Sequence, residues 1–126
     1  MKLNDLFERV SPKQMMDVEK FCDALWGKLG IDVSFTKHFI ERVNDERNGK
    51  DITAAELIRL FKKEYEKYGK SVAKMDAEAE AVFHDLLTLV NLPFVVKDRG
   101  DTKTIVAKTV MRKQDFKSTT PLLSVK

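Results

Sequence analysis

Residues 103–113 read K-T-I-V-A-K-T-V-M-R-K, and this stretch decides the fold class. From Thr104 to Met111 it is dominated by β-branched residues, the composition of a pleated strand. Just upstream, L-P-F-V-V-K at 92–97 has the same character, and D-R-G-D at 98–101 is turn material. The two runs predict a β-hairpin, with Pro93 at a strand start. Alternation puts Ile105, Ala107, Thr109 and Met111 on one face, the core side. Thr104, Val106, Lys108, Val110 and Arg112 fall on the other. Lys108 and Arg112 would then share a face, roughly 13 Å apart at strand rise, and a phosphodiester could lie across it.

Working outward, the chain before the hairpin reads as helices. Ser11-Pro12 predicts an N-cap followed by proline at the first helical position. Val18, Phe21, Cys22, Leu25 and Leu29 make an apolar stripe, with Trp26 in the core and Gly30 as the stop. Ile31–Phe35 alternates and reads as a short strand or an extended link. A helix over about 36–46 follows, with Phe39, Ile40 and Val43 inward and His38 and Arg42 on its flank; Asn48-Gly49 ends it. Thr53-Ala54-Ala55-Glu56 is a capping box that opens a helix to about Tyr68, closed by Gly69. Lys62, Lys63 and Lys67 form its solvated side. For 76–90 the alanines and glutamates favour a helix, with a strand at Ala81–Phe83 as the alternative. After the hairpin, 116–125 reads as an edge strand or a surface trail, since Pro121 argues against a central strand. The order predicts an α+β domain, N-terminal helices followed by a small antiparallel β-sheet.

The 126 residues, 43% hydrophobic and 34% charged, predict one domain over 11–126 with a sizeable core. Residues 1–10 carry Leu3, Leu6, Phe7 and Val10 at helical spacing. A segment so short either docks on the body or serves as a detachable recognition peptide. No apolar run approaches the ~18–20 residues of a membrane span. The N-terminus lacks the apolar core and cleavage site of a secretory signal, so cytoplasmic chemistry is expected. One cysteine, Cys22, excludes an internal disulfide and reads as a buried, inert thiol.

The net charge of +3 is unevenly spread. From Lys97 onward, eight Lys/Arg face three acids, a local balance of +5; the remainder carries fifteen against seventeen. A basic terminal third suits a polyanion such as RNA, whose counterions binding releases. The competing reading is a charge-mixed surface that keeps the protein soluble. His38 is one of two histidines, and an imidazole near neutrality is a natural general acid or base. Arg42, one turn on, could hold a phosphate or stabilise a phosphorane. His38, Arg42, Lys108, Thr109 and Arg112 therefore form a candidate metal-free ribonuclease set, with Arg47, Lys103, Lys113 and Lys117 as further phosphate contacts. The alternative makes His38 an ordinary surface group and pairs Arg42 with Glu46. His84-Asp85 lacks the spacing of a zinc site. No cofactor is expected.

The pattern F-T-x-H-F-x-x-R-V-N-x-x-R, a capped helix, and then P-F-V-V and I-V-A-K-T resembles the metal-independent nucleases of the barnase, EndoU, colicin and RelE group, which includes RegB-type phage endoribonucleases. The resemblance spans about 33–113. It implies a RelE/EndoU-like fold, His38 as acid/base, Arg42 and Arg112 at phosphate, and Lys108 or Thr109 at the scissile bond. The chain departs from that pattern by an insertion at about 69–90 and by having no second histidine at the sheet. The stretch from His38 to M-R-K-Q-D-F-K-S-T-T-P is also similar to small proteins of tailed phages. The opening M-K-L-N-D-L-F-E resembles the peptides that direct internal proteins into proheads of T4-like phages. These resemblances imply an RNA-binding protein with endoribonuclease-like chemistry in the host cytoplasm. The alternative is a non-enzymatic virion component (capsid-interior, neck or tail) packaged with phage structural proteins, or a host-takeover binding protein.

Overall fold

In a computed structural model, which describes residues 10–126, three helices pack with a six-stranded mixed sheet. The fold is α+β. Residues 1–9, which carry most of the amphipathic N-terminal segment, lie outside the described residues.

Helix α1 spans Pro12–Gly27 and starts where the Ser-Pro signal placed it. Ser11 Oγ accepts the Gln14 N–H at 3.1 Å, and Gln14 Oε1 accepts the Ser11 N–H at 3.0 Å. Met15, Val18, Cys22 and Trp26 form its buried stripe, while Phe21 is exposed. Burial, with Glu19 and Asp23 alongside, pushes the Cys22 thiol well above its ordinary range, so it stays protonated. Gly30, at φ +74°, turns the chain into strand β1, Ile31–Phe35.

Helix α2 spans only Lys37–Val43, shorter than the 36–46 expected. Asn48 cuts it short, because its buried Nδ2 donates to the Arg42 and Val43 carbonyls that a longer helix would use itself. A 3₁₀ turn, Glu46–Asn48, follows. Helix α3 spans Ala54–Ala73 behind the expected capping box at Thr53 and Glu56. It runs straight through Gly69, which does not close it. A Cβ there would meet Leu29 Cδ1 at 2.8 Å, so the glycine admits the α1–β1 connection against the helix.

The favoured helix at 76–90 does not form; after a turn, the alternative strand at Ala81–Phe83 does, as part of strand β2, Glu80–Asp85. The ladder decides this. Ala81, Val82 and Phe83 are all buried, and β2 is hydrogen-bonded on both sides. Alanine and glutamate propensity is too small to outweigh those contacts. The supposed insertion at 69–90 is thus the end of α3 and an internal strand. Strand β3, Val90–Arg99, and β4, Thr102–Ala107, form the expected hairpin around Gly100-Asp101. Strands β5, Met111–Arg112, and β6, Leu122–Val125, complete the sheet.

The sheet order is β1-β4-β3-β2-β6, with β5 beside the start of β3. Both edge strands pair in parallel, β1 with β4 and β6 with β2. The sheet is therefore mixed and draws a strand from between the helices, rather than a small antiparallel sheet after them. Trp26 stacks on Phe83 with centroids 5.7 Å apart, and Phe61 and Phe94 surround the same ring at 5.6 and 4.4 Å. This aromatic cluster joins the sheet to α1 and α3.

Candidate functional site

The two segments that carry the expected catalytic residues touch through Thr36. Thr36 caps α2 through its side chain, accepting the Phe39 N–H at 3.0 Å. Its hydroxyl also donates to the Lys108 carbonyl at 3.1 Å, and its N–H reaches the Ala107 carbonyl at 3.3 Å. The start of the helix that carries His38 thus abuts the end of β4. The two segments named by the sequence do meet.

Their side chains are arranged differently from the expectation. Phe94 pairs with Ala107, but Asn91 pairs with Met111. Three residues, 108–110, therefore face two, 92–93. This one-residue β-bulge reverses the alternation. Val110 enters the core in place of Thr109. Arg112 pairs with Val90 and reaches Glu56 of α3, on the helix side. Lys108 and Arg112 do not share a face.

Arg112 is a clamp. Its Nε donates to the Lys50 carbonyl at 3.2 Å. Its Nη1 donates to Glu56 Oε2 at 3.1 Å and the Thr88 carbonyl at 2.6 Å. Its Nη2 donates to the Asp51 carbonyl at 2.8 Å and Glu56 Oε1 at 2.8 Å. A guanidinium has five N–H donors, and all five are engaged within the chain. Burial alone would raise the Glu56 carboxyl, but the Arg112 hydrogen bonds and the Thr53 N–H override it and hold it below its ordinary 4.5.

Most of the other cations are also engaged. Lys103 Nζ donates to the Ala73 and Met75 carbonyls at 2.7 and 2.6 Å, capping the C-terminal end of α3. Lys108 pairs with Glu80. Arg47 forks onto Asp45 at 3.1 and 2.9 Å. Arg42 Nε approaches the same Asp45 at 3.6 Å; its partner is Asp45, not Glu46. Hydrogen bonds from Arg47, with both guanidinium charges, hold the Asp45 carboxyl well below the usual carboxylate range. Thr109 Oγ1 is buried without a hydrogen-bond partner among the described residues. His38, Lys113 and Lys117 are exposed. Among the described residues, no group of three or more His, Cys, Asp and Glu could hold a metal ion.

Two buried polar groups were not among the expected site residues. Glu64, inside α3 and fully buried, accepts the His84 N–H on Oε2 at 3.1 Å, while Oε1 has no partner among the described residues. Burial pushes its carboxyl up to about 9, so it is protonated at neutral pH. Asp85, also fully buried, accepts the Leu87 and Thr88 N–H groups and a 3.1 Å bond from Arg59. It braces the β2–β3 turn, whose tip presents Leu86 and Leu87 at 51% and 67% exposure. A second apolar feature is a groove of about 180 Å³ between α1 and α2, lined by Pro12, Met15, Met16, Phe35 and Ile40. Met16 is 58% exposed and Ile40 40%. A helical period with one apolar residue too many was the available signal: Phe39 goes to the core while Ile40, expected inward, opens onto the groove, and Met15, though buried, lines the groove beside the exposed Met16.

No helix among the described residues is long and apolar enough to cross a membrane. Comparison with protein-family models, curated proteins and solved structures finds no match to this chain.

Proposed function

We propose that this chain is a non-enzymatic binding protein that engages another protein through the apolar groove between α1 and α2. The observation that carries this reading is the groove itself. A methionine- and isoleucine-lined hollow on a well-packed domain is adaptable docking surface. The saturation of Arg112 and Lys103 supports it from the other side, since both cations hold the fold together rather than await a phosphate. With the phage resemblance, the role that follows is a virion component bound to phage structural proteins, or a host-takeover protein acting in the host cytoplasm.

The second reading is a metal-independent RNA-binding endoribonuclease of RelE/EndoU-like class. It draws support from the Thr36–Lys108 contact, which puts the helix carrying His38 against the bulge that carries Lys108 and Thr109. Incubating total RNA with the protein in EDTA, wild type against His38→Ala, separates the two. The binding reading expects no cleavage by either. Cleavage that disappears with His38→Ala would replace it with the nuclease.

A further inference from the structure

The groove continues into a cleft of opposite character. Glu19 lines the apolar groove and also a neighbouring cleft of about 340 Å³ that includes Lys20, Asp23, Asp32 and Ser34, so that three carboxylates there outweigh one ammonium. Strand β1 runs beside both, Phe35 at the apolar end and Val33 at the acidic end. As the sheet's edge strand, β1 turns the N–H groups of Val33 and Phe35 away from β4. Helix α1 takes them: Asp23 Oδ1 accepts Val33 N–H at 2.9 Å and Glu19 Oε2 accepts Phe35 N–H at 2.7 Å. The Val33 carbonyl points outward with its N–H. The edge has no free donor at these positions to template an added strand. What it offers is a row of acceptors, beginning where the apolar groove ends.

Resting on the protein-binding reading above, we propose that this composite groove takes a partner's amphipathic peptide segment with lysine or arginine at one end. Its apolar residues fill the hollow formed by Met15, Met16, Phe35 and Ile40. Its cations lie along Glu19, Asp23 and Asp32. A nucleic acid would meet carboxylates there, and an extended strand would find the donors taken. Charge complementarity selects the orientation as well as the partner, because the apolar and acidic ends are fixed by the fold.

The test uses the full chain and two fluorescent peptides of about 14 residues, long enough for four helical turns. They share one leucine stripe and end in arginines or in glutamates. Anisotropy is expected to show the arginine peptide binding at least about tenfold more tightly at low salt, with the gap closing at high salt. The double variant Glu19→Gln/Asp23→Asn keeps an acceptor for both strand N–H groups. It should melt like the wild type yet bind the arginine peptide roughly three- to tenfold more weakly. Met16→Asp should abolish binding of both peptides. Equal affinity for the two peptides would overturn the charge assignment and leave the apolar docking reading standing. Binding that appears only in residues 10–126 would identify the chain's own N-terminal segment as the occupant. A dimer dissolved by Met16→Asp would identify a second copy. Either result overturns the proposed partner. His38-dependent RNA cleavage without peptide binding would instead remove the underlying function.

Discussion

Replacing Arg112 by alanine tests whether this residue belongs to the fold or to a phosphate site. The side chain ties four places together: β5, the first turn of α3 through Glu56, the loop before α3 through Lys50 and Asp51, and the β2–β3 turn through Thr88. The pair is largely enclosed, with side-chain exposures of 12% for Arg112 and 17% for Glu56. Truncation leaves a partly buried carboxylate and three carbonyls without this donor. Breaking a buried pair by removing one partner costs about 3–5 kcal/mol; residual solvent access places this case near ~3 kcal/mol. For a domain of this size that is roughly 10 °C in Tm. Urea unfolding at pH 7 should show a lower midpoint with an unchanged slope. The depressed Glu56 pKa adds a pH signature. Its contribution is present above the unfolded value of 4.5 and is lost as pH falls through the lower folded value. The wild-type advantage should therefore shrink in acid. A variant of native stability that has lost RNA binding would refute the clamp and restore the phosphate role.

Glu64→Gln should flatten the dependence of stability on pH. The wild-type carboxyl stays protonated up to about 9 when folded but ionises near 4.5 when unfolded, so stability falls as pH rises between those values. The glutamine variant should be more stable than wild type at pH 8 by more than ~1 kcal/mol, and parallel stability–pH curves for the two would sink the assignment. Lys103→Met removes the donors that cap α3. Loss of two charged hydrogen bonds should cost about 1–3 kcal/mol with RNA affinity unchanged; unchanged denaturation together with weakened RNA binding would show that Lys103 serves a polyanion instead.

Local chemistry was legible in the sequence by itself. The caps at Ser11 and Thr53, the turn at Gly100-Asp101 and the β-branched run at 104–107 are decided within a few residues. They set α1, α3 and the hairpin, and with them the α+β class. Trp26 and Cys22 were readable as core for the same reason. Only the tertiary structure decided the rest. Segment 80–85 becomes a strand because β3 and β6 flank it, a fact absent from its own composition. One extra residue at 108–110 leaves no local mark, yet it moves Arg112 from an open face to the helix side. The partners that occupy Arg112 and Lys103 lie 24–62 and 28–30 residues away in the chain. Periodicity can say that a cation sits on a strand. Whether that cation is free to hold a ligand depends on which carbonyls and carboxylates the folded chain brings to it.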